Sequence, residues 1–144
     1  MSTDRPDGFH TLDLLLAEGR KLNLVATDDA HFTEPDFFGG WVMVKAQQNK
    51  SDSILESLKE GSFYSSQGPE FVDIEINSET AEVQSTPVTT VIVQGQGSAY
   101  VAQHGEAIVS AELSLERLKN SPWLRVTVID QYGKRAWSNP IWRD

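Results

Sequence analysis

The sequence predicts an α+β chain, with an α/β segment over residues 1–68 and a small antiparallel β-sandwich over residues 69–144. Three observations lead there. Two apolar clusters before Gly68 recur at helical spacing, and a glycine ends each. Two short, mainly apolar runs in the same stretch read as strands. After Gly68-Pro69 the period changes to short extended runs separated by turn residues.

The elements follow in order. Thr11 is placed to cap a short helix carrying Leu12, Leu14, Leu15 and Leu16, which Gly19 ends. Leu22–Ala26 reads as a strand, followed by an acidic loop from Asp28 to Gly40. Trp41–Ala46 reads as a second strand. Ser51 then opens a helix with Ile54, Leu55 and Leu58 on one face, stopped by Gly61. Alternation of this kind marks an α/β layer with parallel-type strands, although two such units cannot close a sheet. Beyond Gly68, extended runs are predicted at Phe71–Ile76, Glu82–Ser85, Val91–Val93, Ala99–Ala102, Ser110–Leu113, Leu124–Ile129 and Arg135–Ser138. Thr86-Pro87-Val88 forms a corner, Gly95-Gln96-Gly97 a turn, and Asp130-Gln131-Tyr132-Gly133 a hairpin turn with glycine at its positive-φ position.

Composition narrows the function classes. A length of 144 residues and 39% hydrophobic content suit one ordinary domain or two small units. No run approaches the roughly 20 apolar residues of a membrane helix. The polar start, Met1 to Gly8, lacks the apolar core of a signal peptide, and the expected compartment is the cytoplasm. With no cysteine, disulfides and thiolate metal sites are excluded. A net charge of −9 and no basic stripe disfavour nucleic acid as a simple electrostatic partner.

Asp29-Ala30-His31 carries the most chemistry. Side chains two apart on an extended segment share a face, so Asp29 and His31 are expected to project together from a strand end. A carboxylate beside an imidazole suits a divalent ion such as Zn²⁺ or Mn²⁺. The plainer reading is a strand-end turn whose aspartate accepts backbone N–H bonds. Asp28 should face the other way and act as such an acceptor. His10 lies just before the Thr11 cap. His104 falls in a turn of the β part and is expected to be exposed. Ser65, Ser66 and Gln67 read as a structural junction, since no histidine-and-acid constellation accompanies them. The four tryptophans, Trp41, Trp123, Trp137 and Trp142, read as core or interface packing.

Several stretches in the same order resemble one family. Thr27–Phe32, Gly39–Ala46 and Gly61–Pro69 are similar to the closing third of a polymerase-and-histidinol-phosphatase (PHP) domain protein. Arg125–Val128 and Arg135–Trp142 resemble the β extension that follows this domain in its carbaryl-hydrolase-type metallohydrolase branch. The similarity runs from about His10 to Trp142. It implies that residues 1–68 are the last segment of a distorted β/α barrel bearing a cluster of metal ions. It also implies a ligand role for Asp29 and His31, with Asp28 and His10 as candidates for the groups supporting those ligands. The complete family site implies Zn, Mn or Fe. The family's His-x-His pair, its middle Glu and its further His ligands have no counterpart here, where His10, His31 and His104 are the three histidines.

The implied function is that of the C-terminal part of a metal-dependent phosphoesterase or related hydrolase, incomplete on its own and binding metal weakly or not at all. Two alternatives stand beside it: a non-catalytic β-rich interaction or assembly domain derived from that family, and one subunit of a split hydrolase whose partner supplies the missing ligands. Either way a second copy or another subunit is expected to cover residues before Gly68, because a barrel segment standing alone exposes apolar faces.

Overall fold

The computed structural model describes residues 8–33 and 35–143, so the polar stretch Met1–Asp7 lies outside the described residues. The order is α1 (Phe9–Ala17), β1 (Trp41–Val44), α2 (Ser51–Glu60), β2 (Phe63–Ser66), β3 (Phe71–Ile76) and β4 (Thr80–Gln94). Then come β5 (Tyr100–Ser114), a 3-10 turn (Glu116–Leu118), β6 (Trp123–Ile129), β7 (Arg135–Ser138) and β8 (Ile141–Trp142). The fold is mostly β, with two short α-helices on a curled antiparallel sheet.

The strands predicted after Gly68 are present, but they form one sheet instead of the two layers of a sandwich. Its path is β1-β2-β7-β6-β4-β3, with β5 added to β4 and β8 to β6. The physical reason lies in β4. Its first half pairs with β3, from Ala81↔Ile76 to Ser85↔Phe71, and its second half pairs with β6, from Thr90↔Ile129 to Gln94↔Arg125. Between them the register against β5 shifts twice, around Thr86-Pro87-Val88. Proline cannot donate to a ladder, and bulges bend a strand. The predicted corner is therefore a bend within one strand. β5 bends with it at Gly105–Ala107, where Ala107 has φ +50°.

Residues before Gly68 also depart from the α/β expectation. β1 and β2 pair antiparallel, from Trp41↔Ser66 to Val44↔Phe63, and β2 continues the sheet by pairing with β7. Gly68 thus lies in the link between two strands of this one sheet. The backbone N–H of Lys45 donates to Ser62 O at 2.9 Å, which closes β1 and β2 as a hairpin with α2 as its connection. The Ser57 hydroxyl ties the helix down by donating to Lys45 O at 3.0 Å. Gly61 ends α2 as predicted, with φ +76°, and a Cβ there would lie 2.8 Å from the Asn23 amide nitrogen. α1 starts at Phe9, two residues before the predicted Thr11 cap, with Gly8 as N-cap.

Leu22–Ala26 is not a strand. It runs across β2 and the β7–β8 link, held by side chains. Ser65 Oγ accepts the Ala26 N–H at 2.9 Å and donates to Leu24 O at 3.0 Å. The Asn139 side chain accepts the Leu24 N–H at 3.0 Å and donates to Phe63 O at 2.9 Å. The two side chains stand in for a strand partner. This gives Ser65 the structural role predicted for it, and Ser66 likewise donates to Pro69 O at 2.6 Å.

β6 is buried on both faces. Leu124, Val126 and Val128 enter the main core with Val83, Val88, Val91, Val93, Leu113, Leu115 and Leu118. Trp123, Arg125 and Thr127 alternate to the other face, which α1 covers. Arg125 is 2% exposed, and its Nη1 donates to Asp13 Oδ1 at 2.8 Å. Its Nη2 donates to Gln94 Oε1 at 3.1 Å. The guanidinium lies 4.7 Å from the Phe9 ring centre, and Phe9 packs on Trp137 at 5.5 Å.

Breaking a buried pair from one side strands a charge. Asp13→Ala is expected to lower stability by about 3 kcal/mol, the lower end for such pairs because Asp13 is partly exposed. The apolar double replacement Asp13→Leu/Arg125→Met should recover most of that loss. Urea denaturation of the three variants measures both effects, and simple additivity would show that the two side chains are not coupled.

Candidate functional site

The residues singled out by sequence lie on the loop from Asp28 to Gly40, between the extended segment and β1. Among its described residues, three non-glycine positions have left-handed backbones: Asp29 (φ +52°), Phe32 (φ +57°) and Phe38 (φ +59°). The loop lacks the alternation of a strand, so the same-face argument for Asp29 and His31 does not hold. The chain turns at Asp29 instead.

Two carboxylates fix the turn. Asp28 accepts the Phe38 N–H at 2.6 Å, closing the loop across its base. Asp36 accepts the N–H groups of His31 at 3.0 Å and Phe32 at 3.3 Å, one on each oxygen. At the base the backbones are close: a Cβ on Gly40 would lie 3.3 Å from Ala26 Cβ. Held this way, the loop turns aromatic side chains outward. Phe32 stacks on Phe37 at 6.1 Å, Phe37 meets Phe38 edge-on at 5.7 Å, and Phe32 and Phe38 remain about four-fifths exposed.

His31 is exposed, and its Nδ1 lies 3.7 Å from Asp36 Oδ2. The backbone N–H bond from His31, then that from Phe32, and the nearby imidazole hold the Asp36 carboxyl below its ordinary pKa, against a smaller opposing desolvation. Asp28 acts as the backbone acceptor foreseen for it. His10 lies within α1, exposed, and not ahead of a cap. His104 lies on β5 instead of in a turn; it is exposed, with its Nδ1 3.1 Å from the Thr90 hydroxyl. Among the described residues, no three His, Asp or Glu side chains gather closely enough to hold a metal ion. Asp29 and His31 offer a carboxylate and an imidazole, donors that suit Zn²⁺, Mn²⁺ or Fe²⁺. They fit part of such a site, since catalytic centres use about three protein ligands.

Asp36 escaped the sequence reading, because its partners are main-chain groups four and five residues back. The available signal was Pro35-Asp36 inside a loop ending in Gly39-Gly40, a setting in which aspartate commonly closes a turn on backbone N–H groups. A shallow depression between the end of β1 and α2, lined by Lys45, Gln47, Ser53, Glu56 and Glu60, gathers polar groups of mixed charge and no chemical constellation. No described helix is long and apolar enough to cross a membrane. Comparison with protein-family models, curated proteins and solved structures returned no match to this chain.

Two outcomes are expected. Ser65→Ala removes both Ser65 bonds to the extended segment and leaves the Leu24–Asn139 bond in place; a loss of about 1–3 kcal/mol should appear locally, as faster hydrogen exchange at Ala26. Because folding lowers the Asp36 pKa, its contribution is complete above the unfolded-state value of about 3.9. It disappears as pH falls through the lower folded-state value. The protection factors of the His31 and Phe32 amides, taken against the intrinsic exchange rate at each pH, should fall across that acidic window.

Proposed function

We propose that this chain contributes Asp29 and His31 to the metal centre of a PHP-type hydrolase whose remaining ligands come from protein outside this sequence. The observation that carries the reading is the pairing of a partial ligand set with an apolar rim. Carboxylate and imidazole stand on an exposed loop, and Phe32, Phe37 and Phe38 beside them project into solvent. Exposed aromatic clusters of this kind mark a surface made to be covered. The ordered resemblance from His10 to Trp142 supports the same reading.

When bound, a divalent ion would polarise the phosphoryl or carbonyl oxygen of a substrate and activate water for hydrolysis. The chain's own part is to hold two donors at the turn. Asp28 and Asp36 fix the backbone on either side of them, while Ser65 and Asn139 anchor the segment leading into the loop. The substrate class would be phosphoesters, with other esters or amides as the variants within that family.

Zn²⁺ should bind the isolated chain weakly and in competition with protons, since imidazole must be neutral to ligate. His31→Ala should abolish the binding and His104→Ala should leave it intact; equal loss in both would overturn the reading. Phosphomonoesterase and phosphodiesterase turnover with Mn²⁺ or Zn²⁺ should stay below about 1 s⁻¹ for the chain alone.

A second reading, a non-catalytic interaction or assembly domain, is favoured by the use of Asp28 and Asp36 as backbone acceptors that present the aromatic cluster. It expects a dimer or larger species, seen by sedimentation, that Phe32→Ser/Phe38→Ser dissociates. A monomer unaffected by the substitution would count against it.

A further inference from the structure

His31 has two ring nitrogens, and one can bind a cation only where the lone pair points outward and the proton sits on the other. In a free neutral imidazole side chain the proton prefers Nε2, which would leave Nδ1 as the donor atom. The loop reverses this. Asp36 Oδ2 accepts the His31 main-chain N–H at 3.0 Å and stands 3.7 Å from Nδ1 of the same residue. Asp36 Oδ1 is engaged by the Phe32 N–H at 3.3 Å. The carboxylate is thus pinned at both oxygens beside the Nδ1 edge of the ring. A negative charge at that distance favours a proton on Nδ1 over a lone pair there.

We propose that Asp36 is the positioning residue for His31: it holds the proton on Nδ1 and so directs the Nε2 lone pair outward, as the atom a divalent cation would meet. The functional value of this arrangement rests on the metal-centre reading above; the tautomer itself does not. Metal-ligating histidines commonly give their second N–H to a carboxylate, which fixes the ring and raises its basicity. Here the same carboxylate also folds the loop, so ring orientation and backbone turn are set by one side chain.

The test uses the full chain, labelled with ¹⁵N, at a pH above 8 where imidazoles are neutral. Long-range ¹H–¹⁵N correlation spectra report which nitrogen carries the proton. The expected result is His31 mainly in the Nδ1–H form, with exposed His10 as the internal reference in the ordinary Nε2–H form. Asp36→Asn keeps an oxygen for one backbone bond but removes the charge facing Nδ1, and should return His31 to the Nε2–H form. A merely structural role for Asp36 would leave the tautomer alone. His31 in the Nε2–H form in the parent chain would overturn the proposal, as would an unchanged tautomer in Asp36→Asn with the His31 and Phe32 amide signals still dispersed. If that variant loses the loop, the parent spectrum decides by itself. Adding Zn²⁺ separates this inference from the metal-centre reading. A shift confined to Nε2 of His31 supports both. An Nδ1–H tautomer with no Zn²⁺ response upholds the positioning role and rejects the metal role.

Discussion

One ion pair decides whether the far face of the sheet can exist as it does. β6 lies at the centre of the strand order and must be covered twice. Its Leu124, Val126 and Val128 face is covered by the curl of the sheet itself. Its Trp123, Arg125 and Thr127 face meets α1, nine residues long with one fully buried side chain, Leu16. So short a helix is marginal alone. The Arg125–Asp13 pair, with Gln94 bonded to the guanidinium and Phe9 and Trp123 packed around it, is what gives the helix a fixed seat. Among the described residues, Arg125 Nε and Trp123 Nε1 are buried without a hydrogen-bond partner. Removing the helix would therefore uncover a charged and aromatic face as well as an apolar one.

Features that depend on near neighbours were legible in the sequence. The α2 helix, its stop at Gly61, the Asp130–Gly133 hairpin and most β runs each follow from a few adjacent residues. The Asp130 side chain even supplies the turn's bonds, accepting the N–H groups of Tyr132 and Lys134. What stayed hidden depended on distant partners. Leu22–Ala26 has the composition of a strand, yet its backbone partners are the side chains of Ser65 and Asn139. Arg125 interrupts an apolar run and, by alternation alone, belongs on an exposed face; Asp13 reverses that. The single sheet was hidden because a bend within β4 and a corner between two sheets share the Thr-Pro-Val signal.

The loop shows the same division. That Asp28, Asp29 and His31 form a polar turn beside an acidic stretch could be read directly. Their relative facing could not, because it depends on the left-handed backbone at Asp29. The roles within the cluster are also redistributed. The acidic residues Asp28 and Asp36 are committed to main-chain N–H groups of Phe38, His31 and Phe32. The division of labour is compact. The Asp28 and Asp36 carboxylates build the scaffold, and Phe32, Phe37 and Phe38 form the aromatic rim around it.

The contacts that seat the front of the chain span nearly its whole length. Arg125 and Asp13 are separated by 112 residues, and Leu24 and Asn139 by 115. At synthesis rates of about 5–20 residues per second, Asp13 and Leu24 wait on the order of 6–20 s before Arg125 and Asn139 are made. During that interval α1 has neither Arg125 nor the β6 face beneath it, and Leu24 lacks its Asn139 partner. The β3–β5 meander, whose contacts are local, is available to fold first. The last strands then close the molecule from both directions at once, completing the sheet edge through β7 and fastening the earliest residues to it. The two ends of the chain thus depend on each other: α1 and Leu24 gain their full set of partners only once β6 and Asn139 have been made.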